Sequence, residues 1–144
     1  MDFSGFPPLH PLVVHGAVVL LPLTAVGTIV IGLSARARKR YGSLVAVFSV
    51  LALAAVVAAR LSGEQLAGGT QGRGPLGSHM IWGGIAPWPA ALLAVATIGL
   101  VVSDRGRRTP LLTAFTVLGI VAALASLAVV GWTGHLGATA VWVG

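Results

Sequence analysis

Four histidines, His10, His15, His79 and His135, are the side chains of this sequence best suited to hold a cofactor. An imidazole nitrogen can ligate iron, copper or zinc, or carry a proton near neutral pH. Cysteine is absent, which excludes thiolate zinc sites, iron–sulfur clusters and disulfides; a bound metal must take nitrogen or oxygen ligands, or a thioether from Met1 or Met80. The acidic residues are Asp2, Glu64 and Asp104, so a hydrolytic general-base network has almost nothing to work with.

Spacing narrows what the histidines can do. His10 and His15 are five apart with Pro11 between them, so they do not share a helix face; His10 is expected in the loop before a helix and His15 about one turn inside it. Gly83 follows His79 by four residues, Gly131 precedes His135 by four, and Gly16 adjoins His15. Small residues on the same helical face as a histidine leave room for a flat ligand such as haem b, and Arg60 and Arg73 could pair with its propionates. The same four imidazoles could instead surround a copper or zinc ion. They could also be interfacial side chains bonded to loop carbonyls in a structural subunit. The residues alone leave these three readings open.

The elements that must position the histidines are set by hydropathy. The chain has 144 residues, 56% of them hydrophobic and 8% charged, with a mean hydropathy of +0.96. That is more apolar surface than a water-soluble domain of this size can hide. Four apolar runs, 12–33, 44–61, 80–102 and 110–132, are long enough to cross a hydrocarbon layer of about 30 Å. The expectation is an all-α integral membrane four-helix bundle forming one domain over residues 1–144. Pro87 and Pro89 remove backbone donors from the third run and predict a kink there; the alternative is an interfacial segment over residues 80–88. Thr109 followed by Pro110 marks a helix start, and Ser62 with Gly63 a helix end. The first run has no basic residue before it and a basic cluster after it, so it reads as a retained span and not a cleaved signal peptide.

Charge gives the orientation. Arg36, Arg38, Lys39 and Arg40 fall in residues 34–43, and Arg105, Arg107 and Arg108 in residues 103–109, so seven of the nine basic residues share one face. By the positive-inside rule that face is cytoplasmic, which puts both termini and all four histidines on the extracytoplasmic side of an inner (plasma) membrane. The net charge of +6 is then an attraction to anionic lipid, not to nucleic acid. Tyr41 at one end and Trp82 and Trp132 at the other suit the interfacial belts.

The opening Leu9-His10-Pro11-Leu12-Val13-Val14-His15, with Pro22 two turns on, resembles the HP-x-x-VH signature of a bacterial four-helix membrane family, domain of unknown function 2231. Gly134-His135-Leu136-Gly137 resembles that family's glycine-rich motif after the fourth helix, and Ser62-Gly63 with His79 fits its middle, so the likeness covers nearly the whole chain. The resemblance implies a bundle similar to small membrane b-type cytochromes, with haem between histidines on different helices. His15 and His79 would then be the first axial pair, and His10 and His135 a second pair or the groups bonded behind it. It further implies electron transfer, or anchoring of a redox subunit, with a redox protein, a larger membrane complex or a quinol as partner, and leaves room for a homo-oligomer. No histidine lies in the cytoplasmic half, so relay of electrons across the bilayer is not expected.

Overall fold

The computed structural model describes residues 9–67 and 75–142, and the side chains of 12–64 and 77–139 within them. Five helices account for these residues: α1 Leu9–Leu33, α2 Ala35–Ala67, α3 Pro75–Ile85, α4 Pro87–Arg105 and α5 Thr109–Trp142. Four stretches are long and apolar enough to cross a membrane, Leu12–Leu33, Ala35–Glu64, Gly77–Arg105 and Thr109–Thr139. The third combines α3 and α4. Neighbours in the bundle are α1 with α2 and α5, and α4 with α2 and α5, so α1 and α4 lie diagonally across it.

The helices run on where the apolar runs stop. Residues 34–43 were expected to be a loop, but Ser34 alone separates α1 from α2, and its hydroxyl caps α2 by accepting the Ala37 N–H at 3.2 Å. The first basic cluster therefore rides on the opening turns of α2. Ser62 and Gly63 do not close α2, which continues to Ala67; the Ser62 hydroxyl donates to the Ala59 carbonyl at 3.0 Å from within the helix. α5 does not stop near Trp132 but reaches Trp142, so His135 lies inside a helix and not after one. His10 likewise belongs to α1 and not to a loop before it. At 34 residues α5 is roughly 50 Å long, well beyond the hydrocarbon thickness.

The interior is built from small side chains. Ala17, Ala25, Ala52, Ala90, Ala122 and Ala123 are buried around Leu21 and Leu93, while Val19, Leu23, Val47, Val95 and Val117 face outward. In lipid, apolar burial gives little drive to associate, so close approach of backbones and interhelical hydrogen bonds do the work. Across the diagonal, Thr97 donates its hydroxyl to the Leu93 carbonyl at 2.7 Å, which leaves Thr28 as the donor in the 2.8 Å bond to the Thr97 oxygen. Gly99 admits the ring of Phe115 and Gly119 the methyl of Thr28.

At the basic end Arg38 joins three helices. Its Nε donates to Asp104 Oδ1 of α4 at 2.9 Å, and Nη1 donates to the Ile31 and Gly32 carbonyls at 2.7 and 3.2 Å, closing the carboxyl end of α1. The side chains of the pair are only 9% and 21% exposed. Arg105 donates to the Ser43 hydroxyl at 2.6 Å. α4 ends in a Schellman turn, with Arg108 N–H to Ser103 O at 3.0 Å and Arg107 N–H to Asp104 O at 3.2 Å. The left-handed position of that turn, φ 52°, is held by Arg107, one residue after the glycine.

Candidate cofactor site

The opposite end is open because the third span breaks. Pro87 and Pro89 have no N–H to give, which deprives the carbonyls of Gly83 and Ile85 of helical partners. The predicted kink is a division into α3 and α4 at Ala86, across which Ala86 N–H still reaches Trp82 O at 3.1 Å. Beyond it α3 packs chiefly on α5 and hardly touches α2 or α4. A cavity of about 410 Å³ opens in the space between α1, α2, α3 and α5, a size within the usual range of small-molecule sites.

Each wall follows from helical periodicity. α1 contributes Val14, Ala17 and Val18; α2 contributes Val56, Ala59, Arg60, Gly63 and Glu64 at three- and four-residue steps. α3 supplies His79, Met80, Gly83 and Gly84, and α5 supplies Val130, Thr133 and Gly134. The lining is thus mostly apolar, with one imidazole and one ion pair. Arg60 Nε donates to Glu64 Oε1 at 2.8 Å, one turn on, and Nη1 reaches the Gly84 carbonyl at 3.4 Å beside the break.

Among the described residues His79 is the histidine at the cavity wall. Its Nδ1 lies 2.9 Å from the Thr133 carbonyl. A carbonyl oxygen can only accept, so Nδ1 carries a proton, and in the neutral tautomer that makes this bond the Nε2 lone pair is available to a ligand. This is how a protein fixes the ring of a ligating histidine. Gly137 sets the ring's position: a methyl there would stand 3.1 Å from Cε1 and 3.2 Å from Nδ1.

The chain as a whole matches the family model described as predicted membrane protein DUF2231 over residues 6–144. The chain belongs to the DUF2231 family. No curated protein matches it, and no solved structure does.

Within this DUF2231 bundle the other expected site residues divide. Gly83 and Arg60 line the cavity with His79. His15 and His135 are exposed and stand outside its described lining; the His135 ring lies against Trp132, centroids 5.9 Å apart. Gly131 shares the exposed face of His135, so the four-residue spacing was right and the face was the outward one. Gly16 also lies outside the described lining and has open space around it. His10 falls in register one turn beyond Val14, with its side chain outside the described residues, as is Arg73. Among the described residues no three of His, Asp and Glu are grouped to hold a metal ion. Thr133 was not singled out from the sequence, and Gly134 and Gly137 entered only through the family motif, without a place at the site. Extending α5 through residue 137 would have shown them with Val130 as one stripe at helical spacing.

Proposed function

We propose that this protein is a membrane-embedded b-type haem protein, acting in electron transfer or as the anchor of a redox subunit, with the cavity at the histidine end as its cofactor site. The observation that carries the reading is the His79 ring, held through Nδ1 by Thr133 at the wall of an apolar cavity. Three further features fit a flat ligand with an acidic edge. The glycines Gly83, Gly84 and Gly134 have nothing within 4 Å of where a Cβ would stand, Arg60 offers a guanidinium to a propionate, and the walls are mostly apolar. Haem, when bound, supplies a one-electron couple whose potential the protein tunes through ligand and burial.

His79 is the ligand this reading rests on. The resemblance pairs it with His15; His10, at the register position one turn before Val14 of the cavity wall, is the candidate second ligand weighed here against His15. The basic residues gathered at the other end orient this end away from the cytoplasm, so the exchange of electrons is with a quinol or an extracytoplasmic redox protein. A copper or zinc site is less supported, because the described residues offer no cluster of three ligands.

The test is spectroscopic. Protein purified in mild detergent should show a Soret band at stoichiometric intensity, sharp α and β bands on dithionite reduction, and haem b by pyridine haemochrome. His79→Ala should abolish these bands, while His15→Ala and His135→Ala leave them in place. Folded wild-type protein with a featureless spectrum would remove the reading altogether.

A further inference from the structure

A second cavity lies at the other end of the bundle, on its outer surface. A groove of about 280 Å³ runs between α1 and α2, walled by Leu23, Val26 and Val30 on one side and Tyr41, Leu44 and Phe48 on the other. Leu23, Val26, Val30 and Leu44 are each about half exposed on the apolar exterior of the spans. A groove open to hydrocarbon does not stay empty, so the first question is which molecule fills it.

The charge directly above supplies the answer. Leu44 and Phe48 lie on successive turns of α2, and the same four-residue step backward gives Arg40 and Arg36. Both are exposed, and among the described residues neither is in an ion pair, whereas Arg38 is turned inward to Asp104 and Arg105 is bonded to Ser43. The Arg40 guanidinium lies 5.4 Å from the centre of the Tyr41 ring, at the mouth of the groove. One stripe of one helix therefore passes from two cations at the membrane surface to an apolar channel within it.

We propose that this groove is a binding site for a single anionic phospholipid, its phosphate between Arg36 and Arg40 and one acyl chain along the α1–α2 channel. Apolar shape alone would take any lipid, and surface charge alone would gather anionic lipids without holding one. Stacking the two on one helical stripe selects by headgroup and retains by chain.

Native mass spectrometry of the full chain, released from nanodiscs of phosphatidylcholine and phosphatidylglycerol in equal amounts, tests this. The expected result is one retained phosphatidylglycerol per chain, at least about tenfold enriched over phosphatidylcholine. The double variant R36Q/R40Q should lose that enrichment. Val30→Phe, which fills the channel and leaves every charge in place, should lose the retained lipid, while Arg107→Gln on the other connection should keep it. Equal retention of the two lipids by the wild type overturns the proposal without recourse to any variant. Retention unchanged in Val30→Phe, together with loss in R36Q/R40Q, overturns it in favour of adsorption to a charged surface.

Discussion

The two ends of the bundle use glycine and arginine in opposite ways. Toward the basic end glycine is a point of contact: a Cβ on Gly99 would stand 2.5 Å from Phe115 Cε1, and Cβ atoms on Gly42 and Gly27 would meet Val101 and Val45 at 3.2 Å. At the histidine end Gly83, Gly84 and Gly134 border open space, and Gly137, which meets the His79 ring, is the exception. Arginine divides the same way. Arg38 is 9% exposed and spends its donors on closing α1 and holding Asp104, whereas Arg60 is 39% exposed at the wall of the cavity. One end is closed on itself and the other is built around a space, so a small residue in a membrane helix means contact or room according to what stands opposite.

The largest effect that would break this contrast is at Arg38. Arg38→Ala leaves a largely buried carboxylate unpaired and the last carbonyls of α1 uncapped, and should cost about 3 kcal/mol. Reversible unfolding in mixed micelles measures it. The double replacement Arg38→Met, Asp104→Leu should recover much of the loss, because it removes the stranded charge. Arg60→Ala should change stability far less, since its pair with Glu64 is exposed. Equal losses at the two arginines would mean that the ends are not built differently.

Gly99→Ala comes next. Helix propensity alone would favour alanine by up to about 1 kcal/mol, but the added methyl meets the Phe115 ring, and overpacking should win for a net loss of about 2 kcal/mol. Phe115→Leu in the same chain should return part of it, and a double-mutant cycle would show the coupling.

The spans were legible in the sequence because hydrocarbon demands internally bonded helices of about twenty apolar residues. Their outer extensions were not. Arg60, Ser62 and Gly63 interrupt the apolar run of α2, and Gly131, Gly134 and Gly137 that of α5, yet backbone bonding carries both helices past the point where lipid requires them. That error reached the site. With α5 expected to stop near residue 132, His135 looked like a terminal ligand with Gly131 beside it, while the stripe from Val130 to Gly137 that holds His79 went unread. Residue type and spacing singled out His79, Arg60 and Gly83 as candidates; that they line one cavity needed the break at Ala86.

The turn after α4 gives a smaller effect, with a gain instead of a loss. Arg107 holds a left-handed conformation that costs a side-chain-bearing residue roughly 1 kcal/mol. Arg107→Gly should raise stability by about that amount, because both hydrogen bonds of the turn are made by the backbone. An unchanged midpoint would show that the arginine side chain compensates for its strain.

The finest test sets Gly134 against Gly99, both inside helices and both replaced by alanine. Gly134 faces the cavity and an added methyl has no neighbour, so Gly134→Ala should keep the gain in helix propensity, about 0.5 kcal/mol, in protein freed of any ligand. The sign is opposite to that at Gly99. On the proposal that the cavity holds haem, the same methyl would take space from the ligand, so the variant should bind haem more weakly than the wild type while unfolding later without it. Those two measurements moving in opposite directions would distinguish a glycine kept for room from one kept for contact. A loss of stability in the ligand-free variant would mean that the cavity closes when empty and brings a neighbouring side chain against Gly134.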